Sequence, residues 1–413
     1  MTGNTSEEPG RARTPLQSRL VIATILREEG NTGVQTHVRQ LRRYLTDSSA
    51  TSITVITPFS WSRALTVPVF GIRYLLERIS GSANVAWYRH WHEVFLRKAL
   101  RRELASAGAC TVYAQCPVAA RAALQARRGP QQRIILAVHF RISQADEWAD
   151  KGIISRGGRV YRSIRQLERE VVPQVDGLMY VSSWARNALV GWLPVAAEIP
   201  STIIDNFVAP PPRSDPSQES LGDLVTIGHL EPVKNHRYML EILAQVKRAG
   251  RSMTLDIFGD GPLRKDLVRQ AHALGLEGQI RFRGYRQDVR DFLPRYRAYV
   301  HASHSESSSL AIIEAMSAGL PIVAADIGPI AELCDDGVEA RFWPLDDPGR
   351  AARILMDFVS SESARTEASA AARERFRRDF DASVIAPRLV SFLLGSSRTA
   401  SPADAPVRVA NPL

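Results

Sequence analysis

Two acidic residues, Glu306 and Glu314, have seven residues between them in the segment SHSESSSLAIIEAMSAGLPIVAADIGPIAEL. Serines at 307–309 can begin a helix, and the apolar residues within 310–316 recur at the spacing of a buried helical face. Gly319, followed closely by a proline, can end that helix. The sequence therefore predicts a short helix with one glutamate ahead of it and the other inside it.

The amino end of such a helix is a site for an anion, because its first N–H groups are unpaired and its dipole is positive there. Glu314 would lie roughly 9 Å along the helix from this end. Glu306 would lie on the other side of the anion. A phosphate between two hydroxyl-binding carboxylates indicates a nucleotide sugar. A pair of solvated surface acids is the alternative, and other segments must decide between the two interpretations.

Apolar strand-like runs alternate with helical segments in both halves of the chain, which predicts parallel sheets covered by helices. In the first half these runs are 19–26, 52–58, 110–115, 133–140 and 177–183, with the first helix at about 34–45. In the second half they are 224–230, 253–259, 279–285, 298–303 and 321–326. The fold class is α/β, with two doubly wound, Rossmann-like domains. Ligands of such domains bind at the carboxyl ends of the strands.

A proline- and serine-rich segment, FVAPPPRSDPSQESLGD, separates the two halves and is typical of a linker. The predicted boundaries are a disordered tail at 1–18, a first domain at 19–207, a linker at 208–222, a second domain at 223–395 and a disordered tail at 396–413. The last helix, about 366–394, is expected to cross back to the first domain.

Composition excludes several classes of protein. Three cysteines are too few for a disulfide framework or a zinc site, and no apolar run reaches the roughly 18 residues of a membrane span. The polar first nineteen residues are unlike a signal peptide, so we expect a cytoplasmic location. The formal net charge of +10 favours an anionic partner, although no nucleic-acid-binding motif is present and nucleic acid is not expected. Asp335–Asp336 and Asp346–Asp347 are interpreted as solvated loop acids, and no metal site is predicted.

The glutamate segment resembles the donor-binding signature of retaining glycosyltransferases of family 4, which have the GT-B fold. The resemblance extends from about Leu20 to about Phe392. It implies that Glu306 contacts the donor hexose and Glu314 the ribose. It also places Ser309 and Leu310 at the donor, where the helix begins.

A second matching segment, IGHLEPVKNH, carries the charge expected at the donor diphosphate. The family has Gly-Arg-Leu here, whereas this chain has Gly228, His229 and Leu230, and Lys234 is retained. The resemblance implies that Lys234 neutralises the diphosphate with no metal or cofactor, helped by His229 when it is protonated.

The resemblance places three further residues at the donor. It implies that backbone near Tyr285 and Arg286 holds the base, and that Gly33 lets the backbone approach the donor. His139 would lie beside the transferred sugar. The turn at 259–262 is interpreted as structural.

No carboxylate nucleophile is evident, although retention by double displacement would need one. The resemblance implies a reaction on one face of the sugar, with Glu306, His139 and Lys234 as the catalytic residues. A structural histidine, a solvated lysine and ordinary surface acids remain the alternatives for these positions.

The segment 71–104 mixes aromatic residues (Trp87, Tyr88, Trp91, Phe95) with basic ones, as at a membrane interface carrying anionic lipid. A domain helix with buried aromatics is the equal alternative. The hypothesis is peripheral binding to the inner face of the plasma membrane.

The predicted function is transfer of a hexose from a nucleotide sugar to a glycan or polyprenyl-diphosphate-linked acceptor in bacterial polysaccharide synthesis. UDP is favoured, and GDP and ADP remain open. A nucleotide-sugar epimerase, a transferase to a soluble acceptor and a non-catalytic GT-B partner subunit are the alternatives.

Overall fold

The computed structural model describes residues 19–48, 52–211 and 219–395. The predicted tails at 1–18 and 396–413 lie outside the described residues, as does 212–218 of the predicted linker.

Six parallel strands form the first sheet in the order β2-β1-β3-β4-β5-β6. The strands are β1 (Arg19–Ala23), β2 (Ser52–Ile56), β3 (Cys110–Ala114), β4 (Gln132–Val138), β5 (Gly177–Tyr180) and β6 (Ser201–Ile203). The helices of this half are α1 (Gly33–Ser48), α2 (Arg63–Gly71), α3 (Arg73–Ile79), α4 (Gly81–Ser106), α5 (Pro117–Ala126), α6 (Gln144–Asp150), α7 (Arg159–Val171) and α8 (Ser183–Trp192).

The second sheet is also parallel and six-stranded, in the order β12-β11-β10-β7-β8-β9. Its strands are β7 (Gly222–Ile227), β8 (Leu255–Phe258), β9 (Ile280–Gly284), β10 (Tyr296–His301), β11 (Ile322–Ala325) and β12 (Ala340–Trp343). The helices of this half are α9 (His236–Arg248), α10 (Arg264–Ala273), α11 (Val289–Phe292), α12 (Leu310–Ser317), α13 (Gly328–Leu333), α14 (Pro348–Ser360), α15 (Glu362–Asp379) and α16 (Ala382–Leu394).

Each sheet has its own apolar core. Separate clusters cover the two faces of the first sheet, and one large cluster surrounds the second. The central strands are buried on both faces, which explains their continuous apolar sequences. Two independent cores confirm the predicted α/β class with two doubly wound sheets.

The end of the chain returns to the first sheet. The prediction of one helix over about 366–394 is wrong, because Phe380 and Asp381 separate α15 from α16. Asp381 is extended and caps α16 by accepting from the Ser383 N–H at 2.8 Å. Helix α16 then packs into the core of the first half, and the Thr111 hydroxyl donates to the Leu393 carbonyl at 2.7 Å.

The aromatic residues of segment 71–104 that lie on α4 do not form an exposed face. Phe95 is buried, and Trp87 and Trp91 are half-buried. The Trp87 indole donates to the Val69 carbonyl on α2. Burial of these rings corrects the hypothesis that they form the membrane interface. No helix among the described residues is long and apolar enough to cross a membrane.

Candidate functional site

The carboxyl ends of the two sheets meet through the loop between β10 and α12. The Ser182 hydroxyl, after β5, donates to the Ser307 carbonyl at 2.7 Å. The Ser307 hydroxyl donates to the His139 carbonyl, after β4, at 2.6 Å. Glu306 and His139, which are distant in sequence, are therefore held close together across the cleft between the two halves.

Glu306 is the centre of a charged cluster on the second sheet. Its Oε1 accepts from Lys234 Nζ at 2.7 Å and lies 2.9 Å from His301 Nε2. His301 is the last residue of β10, and Lys234 ends a short 3-10 helix that follows β7. Two neighbouring strands thus bring both partners to one carboxylate.

The electrostatics of this cluster keep Glu306 ionised. Burial alone would raise the pKa of Glu306, but the Lys234 charge and the hydrogen bond to His301 outweigh burial and lower the pKa well below its usual range. Only 9% of the Glu306 side chain is exposed. A desolvated carboxylate with a fixed orientation can accept hydrogen bonds from sugar hydroxyls.

His139 faces the cleft from the first sheet. Its Nε2 lies 3.0 Å from Gln115 Oε1, and its ring packs edge-on against His37 at 5.0 Å. Burial, and secondarily the His37 charge, lowers the pKa of His139 well below its usual value. Burial also lowers the pKa of His37 to about 4. Both rings are therefore neutral near pH 7, so His139 is a hydrogen-bonding group and not a cation there.

Helix α12 presents its amino end to the cleft. Ser309 is the N-cap residue but makes no side-chain capping bond. The buried Ser308 hydroxyl has no hydrogen-bond partner among the described residues. A Cβ placed on Gly33, at the start of α1, would lie 3.5 Å from Leu310 Cδ1. The amino ends of α1 and α12 therefore approach each other across the cleft. The amino end of a helix favours the binding of an anion.

Glu314 lies in α12 and is half-buried. Burial raises the pKa of Glu314, and the charges of Arg290 and Arg39 oppose that rise. Arg290 is anchored through the Ser317 hydroxyl and the Ala209 carbonyl. Arg39 belongs to α1 of the other half. Glu314 is thus separate from the Lys234 cluster and is influenced by charge from both halves.

The remaining predicted donor residues lie along the ends of β7 and β9. Gly228 follows β7, and the neighbouring His229 is nearly half exposed, 3.9 Å from Glu231 Oε1. Tyr285 follows β9 and is 45% exposed. Arg286 forms a two-pronged pair with Asp288 at 2.7 and 2.8 Å. The structure places these side chains around the carboxyl edge of the sheet, but not in contact with Glu306.

Two glycines allow the loops after β7 and β8 to approach each other closely at this edge of the sheet. Gly259, after β8, has φ +139°, and a Cβ there would lie 1.9 Å from the Gly228 carbonyl oxygen. Its N–H donates to the Gly284 carbonyl at 2.9 Å. The turn interpreted as structural therefore shapes the floor beside Gly228.

The paired aspartates serve the local backbone. Asp336 accepts from the Phe342 N–H, and Asp347 caps α14 through the Arg350 N–H. Among the described residues no three metal-ligating side chains cluster.

Residues 213–375 match the family described as glycosyl transferases group 1. Two parallel sheets meeting at this site agree with that match. This part of the chain is a glycosyl transferases group 1 domain. The predictions of this family and of the GT-B fold are confirmed.

Curated relatives match this chain over part of their length. It is 28% identical over 253 residues to a glycogen synthase of Mycobacterium tuberculosis, covering 58% of this chain and 59% of that protein. It is 29% identical over 161 residues to the putative glycosyltransferase EpsF of Bacillus subtilis, covering 38% and 39%. The chain thus spans about three fifths or less of these relatives.

Two solved structures match the chain over nearly its whole length. HepE of Anabaena, in complex with UDP and glucose, has a TM-score of 0.64 at 17% identity, covering 91% of this chain and 99% of HepE. Sucrose-phosphate synthase of Thermosynechococcus elongatus has a TM-score of 0.70 at 14% identity, covering 92% and 100%. These likenesses show the fold.

Sequence reasoning missed several residues of the candidate site. His301, Gln115, Arg39 and Arg290 contact or influence the predicted residues, yet none belongs to the matched motifs. His301 ends a strand two residues after a tyrosine, which gives no chemical signal. Only its position at the carboxyl end of β10 could have indicated it.

Proposed function

We propose that the chain transfers a hexose from a UDP-sugar to an acceptor hydroxyl with retention at the anomeric carbon. The observation that carries this proposal is the ionised, buried Glu306, held by Lys234 and His301 beside the His139 backbone. HepE was solved in complexes with UDP and glucose and with UDP-glucose, which supports UDP as the nucleotide.

We expect the donor to bind in a single orientation, with its base at the end of β9 and its hexose at the cleft. The base would lie near Tyr285 at the end of β9, and the ribose would bond to Glu314 in α12. The diphosphate would then lie at the amino end of α12, where the Ser308 hydroxyl is unpaired among the described residues. The hexose would lie between Glu306 and His139.

Lys234 supplies the charge that the departing group needs. The bond between the anomeric carbon and the phosphate oxygen breaks, and UDP leaves with the electron pair. An ammonium about 4 Å from a phosphate charge contributes on the order of 4 kcal/mol at an effective dielectric constant near 20. Lys234 bonds to Glu306 in this structure, so we expect the diphosphate to share that ammonium with the carboxylate.

The acceptor oxygen attacks from the face that UDP leaves, and its proton passes to the departing phosphate oxygen. This route needs no protein nucleophile. The protein then contributes orientation and charge stabilisation. Neutral His139 would hold a sugar hydroxyl.

Binding and slow hydrolysis of sugar nucleotides test the proposal. Calorimetry with UDP, GDP and ADP should give the tightest binding with UDP, and UDP-hexose should be hydrolysed slowly without an acceptor. Glu306→Gln should abolish hydrolysis and leave UDP binding within about threefold. Glu241→Gln, at an exposed position on α9, is the control. Absence of hydrolysis in the wild type, despite UDP binding, would favour a non-catalytic subunit.

We further propose that the acceptor is linked to a lipid and that α2 and α3 bind an anionic membrane. These helices and Ile72, the residue between them, expose a set of large apolar side chains (Leu65, Val67, Ile72, Tyr74, Leu75, Ile79). Arg78 is exposed beside them, and Arg73 lies over the Tyr88 ring of α4 at 5.0 Å. Exposed apolar residues flanked by arginines fit the interface of an anionic bilayer. Attachment would be peripheral, at the inner face of the plasma membrane.

Liposome co-sedimentation tests this surface. The protein should bind vesicles containing phosphatidylglycerol at low salt and be released by 1 M salt, where the Debye length is about 3 Å. Leu75→Ser with Ile79→Ser should weaken binding. Val268→Ser, which removes an exposed apolar residue of α10, should not. If the Leu75→Ser, Ile79→Ser variant binds vesicles as well as Val268→Ser does, the assignment of the membrane-binding surface to α2 and α3 is contradicted.

A further inference from the structure

A cavity of about 140 Å³ lies at the carboxyl edge of the first sheet, next to the donor site. Its polar lining comes from Arg89 on α4, Gln115 after β3, and Gln144, Glu147 and Lys151 on or beside α6. Apolar side chains also line the cavity (Ile25, Leu26, Val34, Trp148). Five polar or charged side chains are nevertheless more than an empty cavity usually has, because empty cavities in proteins are usually apolar.

The cavity is connected to the donor site at two points. Gln115 lines the cavity and also bonds to His139. Lys151 lines the cavity and pairs at 3.3 Å with Glu231, in the loop that carries Lys234. A ligand in the cavity would therefore lie next to the proposed hexose, where an acceptor must be.

Arg89 is the unusual group in this cavity. Only 9% of the residue is exposed. Its Nη1 donates to Gln144 Oε1 at 3.1 Å, but its buried Nη2 has no hydrogen-bond partner in the described part of the chain. Leaving a guanidinium nitrogen buried and unpaired is costly, and such groups are normally satisfied by an anion or by water.

None of the nearby carboxyl groups forms an ion pair with Arg89. Glu147 lines the same cavity, and burial raises the pKa of Glu147 to about 7. Glu168 instead accepts from the Ser143 hydroxyl and the Gln144 N–H. Glu93 pairs with Arg121. Arg89 forms none of the ion pairs within 4 Å found among the described residues. Its charge therefore remains directed at the cavity.

We propose that Arg89 binds an oxyanion carried by the acceptor. This inference rests on the proposed function and specifies its acceptor. The guanidinium presents parallel N–H donors that match a phosphate or carboxylate. The oxyanion is either a phosphate of a lipid diphosphate or the carboxylate of an acidic sugar. Gln144 holds Arg89 in position by accepting from Nη1.

The test uses the full chain with UDP at saturating concentration, so that an added anion cannot bind at the donor diphosphate site. Sulfate is the simplest probe, and calorimetry should show saturable binding. Geranyl diphosphate and glucuronate then distinguish the two sources, because the genuine class should bind at least about tenfold more tightly than sulfate. Absence of saturable binding by all three probes in the wild type overturns the proposal.

Variants locate the binding. Arg89→Gln should weaken binding of the better probe at least about tenfold, the loss expected for a charge-assisted hydrogen bond. Arg89→Lys, which keeps the charge and preserves folding if the glutamine variant is unstable, should give an intermediate loss. Arg97→Gln, two turns along α4 and paired with Gln125, is the matched control. Unchanged affinity in Arg89→Lys and Arg89→Gln overturns the proposal.

Failure of this inference is distinguishable from failure of the proposed function. UDP affinity and slow hydrolysis of UDP-hexose should both be present in the wild type and unchanged in the control Arg97→Gln. If they are, but no anion binds, the transferase proposal stands and the acceptor is uncharged at this position. If UDP does not bind the wild type, the donor assignment fails, whatever the outcome of anion titrations performed without UDP.

Discussion

Removal of the Lys234 ammonium should destabilise the folded chain through Glu306. The two side chains are 26% and 9% exposed, and Nζ lies 2.7 Å from Oε1. Removing one partner of a fully buried pair costs about 3–5 kcal/mol. Because a quarter of Lys234 reaches solvent, we expect Lys234→Met to lower the free energy of unfolding by about 2 kcal/mol at pH 7.

A double-mutant cycle isolates the pair. Lys234→Met, Glu306→Gln and the double variant should give a coupling energy of about 2 kcal/mol in urea unfolding. Far-UV circular dichroism and tryptophan fluorescence must report the same transition, because these free energies are defined only for two-state unfolding. The Lys151–Glu231 pair, with 39% and 21% exposure, is the matched comparison and should couple by less than about 1 kcal/mol.

The pH dependence of this destabilisation has a definite sign. The folded-state pKa of Glu306 is depressed below the unfolded value of 4.5, so its ionised form stabilises the fold above pH 4.5. That stabilisation is lost as pH falls through the folded pKa. The difference between wild type and Lys234→Met should therefore shrink below pH 4.5. A coupling no larger than that of Lys151–Glu231, or a difference independent of pH, would refute the reasoning.

Three further predictions concern single positions. Gly259→Ala should lower the free energy of unfolding by about 2–4 kcal/mol, because φ is +139° and the Cβ would strike the Gly228 carbonyl oxygen. Urea unfolding measures this loss, with Gly250→Ala, where the Cβ would meet no atom within 4 Å, as the comparison. His139→Gln should retain at least about tenfold more hydrolysis of UDP-hexose than His139→Ala, because the neutral histidine acts by hydrogen bonding, and the wild-type rate should show no step from His139 between pH 6 and 8. Glu314→Ala should remove about tenfold of affinity for UDP but leave 2′-deoxy-UDP and 3′-deoxy-UDP nearly unchanged, which calorimetry can compare; equal losses for all three ligands would contradict a ribose contact.

The sequence predicted the strands that lie deep in each sheet, because strands buried on both faces are continuous apolar runs. It also predicted β2 and β9 at one edge of each sheet, but it missed β6 (Ser201–Ile203) and β12 (Ala340–Trp343) at the opposite edges. Short, half-exposed edge strands lack that signal, and their pairing depends on a neighbour already in place. The break between α15 and α16 was missed because α16 begins directly after its cap residue, Asp381, so the helical sequence pattern is almost continuous.

The motifs indicated Glu306 and Lys234 separately, but not that they form one ion pair. That pairing depends on β7 and β10 being adjacent in the sheet. Along the chain the two strands are separated by 68 residues, 228–295. Arg39 and Arg89 carry no local signal either, because arginines are frequent throughout this basic chain. Arg39 is significant because its charge acts on Glu314 from the other half of the molecule, and Arg89 because it is buried with an unpaired donor.

The return of α16 to the first sheet has a practical consequence for dissecting the molecule. A fragment cut in the linker would leave the first half with an uncovered apolar face, since Leu389 and Leu393 of α16 are buried there. A self-sufficient amino-terminal piece therefore has to include residues 382–394, supplied as a fused or separately added peptide. Two backbone hydrogen bonds join Val208 to Phe380 and Ala382, so the two segments that cross between the halves are bonded to each other and would have to be kept together in such a piece.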